Sequence, residues 1–149
     1  MFDSAGPDGN QDIYVIDANG GKPRRITFEP SNESIPSWSR DGKWIYFNSN
    51  RTGRSEIWRV PFAGGTQERI TTDGGYTAFE STDGRTLFFT KPTFSSLFAQ
   101  PLSGGPERQV LPSVYASAFV PVQDMSAGET TIGNTRSSST NSRTVAAGC

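Results

Sequence analysis

The hydrophobic positions of this chain fall into short runs that are separated by turn-forming residues. The runs are rich in aromatic and β-branched side chains, as in Trp44–Phe47, Ile57–Val60 and Leu87–Phe89. No stretch places apolar residues at the i, i+3, i+4 spacing of an amphipathic helix. Several runs are apolar at consecutive positions, which is typical of a sheet that is covered on both faces. The pattern therefore predicts β-strands without helices.

The runs recur with a period of 40 to 44 residues. Three segments align: DIYVIDANGGKPRRIT from Asp12, EIWRVPFAGGTQERIT from Glu56 and SLFAQPLSGGPERQVL from Ser96. Between them lies a second repeated unit, SWSRDGKWIYFNS from Ser37 and FESTDGRTLFFTK from Phe79. The Asp-Gly pair of each second unit is expected to supply the positive φ angles of a tight hairpin turn. Four short strands in a repeat of this length are typical of a β-propeller blade.

The stretch from Ser37 to Thr71 resembles the WD-like repeat of TolB-type propellers. That family reads roughly S-P-D-G, an apolar strand, a strand like D-I-Y-V, a Gly pair and R-L-T. Arg40 stands where the family usually has proline, and the next repeat departs further, with Glu80–Thr82 ahead of its Asp-Gly pair. The resemblance covers about residues 1–122 and implies a propeller fold.

Aligned on this repeat, the chain holds fewer blades than a ring needs, since a closed propeller has at least about four. The predicted divisions are the later strands of a partial blade at 1–34, full blades at 35–74 and 75–113, the first strand of a further blade at 114–122, and a tail at 123–149. The predicted fold is all-β: an incomplete β-propeller of four-stranded antiparallel blades with a disordered C-terminal tail. We expect a fragment of a larger protein, or a ring completed by self-association through open blade edges.

The tail differs in composition from the rest of the chain. From Ser126 to Cys149, 10 of 24 residues are Ser or Thr and none is aromatic. Such a segment buries too little apolar surface to offset the entropy of ordering it. Two interpretations stay open: a shift of the reading frame near Gln123–Ser126, or a natural Ser/Thr-rich linker.

Charge and termini exclude several classes of protein. The chain has 14 Lys and Arg against 15 Asp and Glu, and no basic cluster exceeds Arg24-Arg25, which disfavours a nucleic-acid partner. No run of 18 apolar residues is present, so no membrane span is predicted. The first residues lack the basic and apolar regions of a signal peptide. Histidine is absent and Cys149 is the single cysteine, which disfavours metal sites and His-dependent triads.

Candidate catalytic and metal-binding carboxylates have simpler explanations. Asp73, Glu80 and Asp83 are near one another and could form a glycosidase-like acid–base pair. However, Asp73 and Asp83 each precede a glycine, where a turn explains them. The segment Asp8–Asp12 is similar to part of a calcium loop but lacks its spacing and closing Glu, so a solvated hairpin is expected. No catalytic, cofactor-binding or metal-binding residue is predicted, and no cofactor.

Two further sets of residues have both a structural and a functional interpretation. Tryptophans could be ligand-stacking platforms, but packing between blades is favoured: Trp38, Trp44 and Trp58. Arginines near the start of the last strand of each repeat could bind an anionic partner, but protection of a sheet edge is favoured: Arg24, Arg25, Arg69 and Arg108. The sequence assigns no ligand-binding residue.

The family resemblance implies a non-catalytic scaffold that presents loops to a protein partner, and a periplasmic location. Fold alone does not decide function, because propellers host many activities. One alternative is the propeller of a prolyl oligopeptidase-type serine peptidase, whose triad would lie in a separate α/β-hydrolase domain. Another is the sensor domain of a membrane-bound winged-helix transcriptional regulator. Each interpretation predicts no catalysis by residues 1–149 themselves.

Overall fold

The computed structural model describes residues 1–91, 94–114, 119–123 and 130–134, and every regular element among them is a β-strand. The strands are β1 Phe2–Ala5, β2 Gln11–Val15, β3 Arg24–Arg25, β4 Glu33–Trp38, β5 Trp44–Ser49, β6 Glu56–Pro61, β7 Glu68–Arg69, β8 Ala78–Glu80, β9 Thr86–Lys91, β10 Phe94–Pro101, β11 Arg108–Leu111, β12 Phe119–Gln123 and β13 Thr130–Asn134. The expectation of an all-β chain is confirmed.

The strands form four antiparallel sheets in chain order. Sheet A has the order β1-β2-β3, sheet B β4-β5-β6-β7, sheet C β8-β9-β10-β11 and sheet D β12-β13. Sheets B and C are the four-stranded meanders that the repeat predicts, and the sheets stack without closing a ring among the described residues. The incomplete propeller is therefore confirmed, while the divisions of the chain at 34/35, 74/75 and 113/114 stay a prediction.

The core lies in the seams between sheets, because strands such as β5 send apolar side chains to both faces. Side chains from sheets A and B fill the first seam: Ile13, Ile26, Ile45, Phe47 and Val60. Side chains from sheets B and C fill the second: Tyr46, Ile57, Ala78, Leu87 and Phe89. Full burial of an aliphatic or aromatic side chain contributes about 1.5–3 kcal/mol, so these seams dominate the stability of the stack.

The Asp-Gly loops differ in detail from the predicted tight hairpin turns. Between β4 and β5, the Ser39 carbonyl accepts a hydrogen bond from the Gly42 N–H at 3.1 Å, and Gly42 has a φ of 69°. Asp41 keeps a negative φ, and its Oδ1 accepts hydrogen bonds from Ser39 Oγ at 2.7 Å and from the Lys43 N–H at 3.0 Å. The Ser and Asp side chains thus hold a five-residue connection in which glycine alone needs the left-handed region.

Strand β4 contains an irregularity that no sequence signal predicts. Its pairing with β5 shifts between Ser34 and Ser37, and Ile35 has a φ of 54°. A β-branched residue in this region is strained, and no other non-glycine residue of the described chain has a positive φ. The Ile35 N–H donates to Asp3 Oδ1 of sheet A at 3.3 Å, so the bulge is part of the contact between sheets A and B.

Sheet D occupies part of the region for which the sequence predicts little structure. Strand β12 overlaps the predicted first strand of a further blade at 114–122 and extends one residue into the predicted tail, and β13 lies inside that tail. The β-branched residues at 130–132 suit a strand. The prediction of disorder for the rest of the tail falls on residues outside the described ranges, and both interpretations of the tail's origin stay predictions.

Candidate interaction surface

Trp38 is the most exposed of the tryptophans that the sequence singles out. It ends β4, is 37% exposed, and meets the ring of Phe62 edge-on with the centroids 5.1 Å apart. Phe62 follows β6 directly and is 39% exposed. The Arg24 guanidinium lies 4.8 Å from the Phe62 centroid, and its Nη2 donates to the Phe62 carbonyl at 2.7 Å. We name Trp38, Phe62 and Arg24 the aromatic patch.

The patch is held by elements of two sheets, because Arg24 belongs to β3 of sheet A, Trp38 belongs to β4 of sheet B and Phe62 directly follows β6 of sheet B. The backbone hydrogen bond fixes the guanidinium above the ring, where a cation–π contact is worth about 0.5–1 kcal/mol at an exposed site. Two large aromatic rings and an arginine therefore stay partly open to solvent at the seam. This composition is typical of the anchors of protein–protein interfaces.

The other two tryptophans occupy different environments. Trp44 begins β5 and carries the Arg59 guanidinium 4.2 Å from its ring, with Arg59 donating to Glu68 Oε2 at 2.8 and 2.6 Å. Trp58 packs against the first seam below Arg51, whose guanidinium lies 4.4 Å from its ring. Trp58 thus packs against the core, as the sequence favours. The preference for packing over ligand stacking at Trp38 and Trp44 stays a prediction.

The repeat-related arginines lie on the last strand of each sheet but have different partners. Arg25 pairs with Asp8 at 3.1 Å and with buried Asp12 at 2.5 Å. Burial acts to lower the pKa of Arg25, but the hydrogen bonds that its guanidinium donates to both carboxylates outweigh burial and raise that pKa. Arg24 belongs to the aromatic patch, and Arg69 and Arg108 are exposed on β7 and β11. Protection of a sheet edge by these arginines, which the sequence favours over binding of an anionic partner, stays a prediction.

The three candidate acid–base carboxylates each have their own set of partners. Glu80 is buried between sheets B and C, where Oε1 accepts from Tyr46 Oη at 2.5 Å and Oε2 accepts from the Arg40 N–H at 2.8 Å. Burial, followed by the hydrogen bond to Glu80, raises the pKa of Tyr46 well above its usual range. The side-chain hydrogen bond from Lys91 lowers the pKa of Asp73, and the one from Ser81 lowers the pKa of Asp83. A lowered pKa does not suit a general acid.

The loop at Asp8 is a hairpin connection held by hydrogen bonds. Asp8 Oδ1 accepts from the Asn10 N–H at 3.3 Å, and the hydrogen bond from Arg25 lowers the pKa of Asp8. In the described ranges, no group of three Asp, Glu, His or Cys side chains is placed to hold a metal ion. The same ranges include no helix with the length and apolarity needed to cross a bilayer.

A small pocket opens between sheets B and C. Its volume is about 160 Å³, and Arg59, Leu87 and Leu102 are among its lining residues. Ligand sites for drug-sized molecules measure about 300–1,000 Å³, so this pocket is small for such a ligand. The aromatic patch is therefore the stronger candidate for recognition.

Sequence reasoning singled out Trp38 and Arg24 separately but missed Phe62 and the contact that joins the three. The repeat alignment does contain a signal, because Trp38 and Phe62 correspond to Glu80 and Leu102 in the next repeat. Glu80 is buried with 7% exposure, while Trp38 at the equivalent position is 37% exposed. Two large aromatic residues thus stand where the next repeat has a carboxylate and a leucine. This difference between the repeats is the sequence signal that could have identified the patch.

The repeat and the stacked four-stranded sheets correspond to those of a known protein family. Residues 4–119 match the TolB beta propeller domain. The chain belongs to this family. The predicted resemblance is thereby confirmed, and the propeller domain covers most of the chain.

Curated relatives match over shorter segments. An uncharacterized protein of Agrobacterium fabrum is 48% identical over 65 residues, which are 44% of this chain and 22% of that protein. The Tol-Pal system protein TolB of Desulfosudis oleivorans is 37% identical over 51 residues, or 34% of this chain and 12% of that protein. The matched segments thus span about a fifth or less of these relatives, so the activity of the whole proteins does not transfer directly.

Solved structures show the same architecture. The crystal structure of TolB from Acinetobacter baumannii superimposes with a TM-score of 0.64 at 22% identity, covering 89% of this chain and 37% of that one. The β-propeller domain of the Trilobed protease from Pyrococcus furiosus gives a TM-score of 0.54 at 16% identity, covering 87% of this chain and 47% of that one. At these identities the likeness shows the fold alone.

Proposed function

We propose that the chain is a non-catalytic, TolB-like propeller that binds a protein partner through the aromatic patch. The observation that supports this is the exposed contact between Trp38 and Phe62, fixed by Arg24 at the seam of two sheets. Tryptophan and arginine are enriched among the residues that contribute most to protein–protein affinity. The rigid seams beneath the patch would present it without a large entropic cost on binding.

The family membership suggests where such a partner is found. Several relatives are named as Tol-Pal system protein TolB, and this supports a protein partner and a periplasmic location. We therefore propose that the patch binds an envelope protein, and that the chain itself needs no cofactor. Nucleic acid remains disfavoured by the net charge of −1.

The two alternative functions lack an observation that favours them. The likeness to a protease propeller, at 16% identity, concerns the fold. The described residues include neither a candidate triad nor a DNA-binding helix. Measurable peptidase turnover by the purified chain would contradict the non-catalytic proposal.

A photo-crosslinking experiment tests the patch. The chain is produced in the periplasm of a Gram-negative host with p-benzoylphenylalanine at position 38 and, as a matched control, at position 28. Phe28 is more exposed, at 66%, and lies outside the aromatic patch. We expect a defined protein adduct from position 38 and none from position 28.

The adduct then defines an affinity measurement. Trp38→Ala is expected to weaken binding of the purified partner by about tenfold or more, since anchor residues typically cost over 1–2 kcal/mol on truncation. Phe28→Ala should leave the affinity unchanged. Equal adducts from both positions, or equal affinities of both variants, would contradict a role of the patch.

A further inference from the structure

The small pocket of the second seam has an origin that the repeat explains. It lies between two four-stranded sheets, B and C, and Leu102 is among its lining residues. In the first seam the guanidinium of Arg24 covers the equivalent residue, Phe62, at 4.8 Å from the ring centroid. Glu68 takes the place of Arg24 in the next repeat, and its carboxylate accepts hydrogen bonds from Arg59 instead. The space over Leu102 is therefore left open.

Much of the pocket wall is apolar. Leu87 is fully buried, and Ile70 packs against the core of the second seam. On the other side the chain turns at Pro101, whose carbonyl accepts a hydrogen bond from the Gly104 N–H at 3.1 Å, so this part of the wall is held in place. An apolar cavity of about 150 Å³ accommodates benzene. With about 160 Å³, the pocket has room for one apolar group of that size.

Two arginines supply positive charge, and none of the described residues that line the pocket is Asp or Glu. Arg59 is fixed, because its Nε and Nη2 both donate to Glu68 Oε2 and its guanidinium lies 4.2 Å from the Trp44 ring. Arg69 differs, since its side chain has no hydrogen bond or ion pair with any residue that the structure describes. The pocket thus has a guanidinium whose donors are unused.

A comparison with sheet A explains why Arg69 is unpaired. Arg25 holds the equivalent position there and pairs with buried Asp12 at 2.5 Å. Glu56 is the residue of sheet B that corresponds to Asp12, and its Oε1 pairs with Arg54 Nε at 2.7 Å. Because Arg54 already provides this carboxylate with a cation, Glu56 does not pair with Arg69. The changes in this repeat thus both open the pocket and leave a free cation beside it.

We propose that this pocket binds a compact monocarboxylate, whose carboxylate pairs with Arg69 and whose apolar part contacts Leu87 and Leu102. A guanidinium matches the planar carboxylate with two parallel hydrogen bonds. The charge of Arg59 adds to the attraction, while the apolar wall disfavours strongly hydrated anions that have no apolar part. The site lies in the second seam, outside the aromatic patch, so it is separate from partner binding at Trp38.

Benzoate is the probe, because it joins a carboxylate to an apolar ring of the size that the pocket admits. It is titrated into the full 149-residue chain, and the methyl signals of Ile70, Leu87 and Leu102 are followed by NMR. For a ligand of about nine heavy atoms we expect a Kd on the order of 1 mM. Benzamide has the same shape without the charge, and acetate lacks the ring, so each should bind about tenfold more weakly.

A pair of arginine variants tests the charge. Arg69→Gln is expected to raise the Kd for benzoate by about tenfold, because an uncharged amide replaces the guanidinium. Arg108→Gln is the matched control, since Arg108 is also exposed on an outer strand, β11, but does not line the pocket. It should leave the Kd unchanged. Arg69 is exposed on the two-residue strand β7, so its variant is expected to keep the amide spectrum of the folded wild type.

The outcomes separate clearly. Saturable shifts of the three methyl groups, weakened by Arg69→Gln alone, support the proposal. The absence of saturable shifts at benzoate concentrations up to about ten times the expected Kd overturns it. Equal affinities for benzoate and benzamide, or equal affinities of the two arginine variants, also overturn it. Trp38→Ala should leave benzoate binding unchanged, so partner binding at the aromatic patch is decided by its own crosslinks.

Discussion

Sheets B and C are formed by equivalent repeats of the sequence. They differ in the hydrogen bonds that hold the start of the third strand. In sheet B, fully buried Glu56 accepts hydrogen bonds through Oε2 from Thr71 Oγ1 at 2.6 Å and from the Gly74 N–H at 3.1 Å. Thr71 Oγ1 in turn accepts from the Ile57 N–H at 2.9 Å. The Glu56 carboxylate and the Thr71 hydroxyl thus hold the start of β6 against the segment that follows β7.

In sheet C the equivalent position is Ser96, and the contact is neutral. Ser96 Oγ donates to the Pro112 carbonyl at 3.0 Å and accepts from Gln109 Nε2 at 3.3 Å. Leu111 stands where sheet B has Thr71. In both sheets a side chain at the start of the third strand is therefore hydrogen-bonded to the fourth strand or to the residues that follow it. The bonding group differs, since it is a carboxylate in sheet B and a hydroxyl in sheet C. A buried carboxylate with several donors is stronger but costly to disrupt.

The largest expected effect comes from removing the buried Glu56 carboxylate. Glu56→Ala leaves the Thr71 hydroxyl and the Gly74 N–H without their acceptor and opens a cavity, so we expect a loss of about 2–4 kcal/mol in the free energy of unfolding. Ser96→Ala, its counterpart in sheet C, should lose about 1 kcal/mol. Urea unfolding followed by tryptophan fluorescence measures both. Equal losses would show that Glu56 and Ser96 do not differ in the way their contacts indicate.

A smaller effect tests the hydroxyl alone. Thr71→Val keeps the shape of the side chain but removes a donor to Glu56 and an acceptor for the Ile57 N–H, so we expect a loss of about 1–3 kcal/mol. Sheet A contains the same unit, in which Thr27 Oγ1 donates to Asp12 at 3.1 Å and accepts from the Ile13 N–H at 2.9 Å.

Thr27→Val is therefore a matched variant for this unit and should show a loss of the same size in urea unfolding. A neutral result at Thr27 with a loss at Thr71 would mean that sheet B alone depends on the unit. The comparison would then separate sheet B from both of its neighbours.

The strands and the sheet order follow from the sequence because they depend on local composition and on the repeat. The aromatic pairs that face each other, Phe47 with Trp58 and Phe89 with Phe98, occupy equivalent positions of successive repeats, so their pairing is also predictable. The carboxylate–threonine unit left a signal as well, because Asp12 to Thr27 has the same 15-residue spacing as Glu56 to Thr71.

The aromatic patch and the turns could not be predicted in the same way. The patch joins Arg24 to Phe62 across 38 residues and depends on how much of Trp38 the neighbouring sheet covers, which is a property of packing. The Asp-Gly loops were predicted as tight turns because the dipeptide was considered alone. The side chain of Ser39, two residues before Asp41, changes the turn through its hydrogen bonds.

The smallest effect concerns the stability of the fold at low pH, to which the ion pairs of Lys91 at the end of β9 contribute. Lys91 Nζ contacts Asp73 at 2.9 Å and also Glu107, with its charge 4.6 Å from the Phe98 ring. The hydrogen bond from Lys91 lowers the pKa of Asp73 below its ordinary value of 3.8. A lowered folded-state pKa stabilises the fold above the unfolded-state pKa, and the contribution disappears as pH falls through the folded-state value.

Asp73→Asn should therefore reduce stability slightly at neutral pH, and the difference from the wild type should vanish as the pH falls below 3.8. Asp73 is largely exposed, so solvent screens the pair and the effect stays small. Thermal unfolding across this pH range measures it, and Lys91→Met supplies the control, because Asp73→Asn should change little further in that background. A difference that persists unchanged in strong acid, or in the Lys91→Met background, would show that Asp73 acts through contacts other than this ion pair.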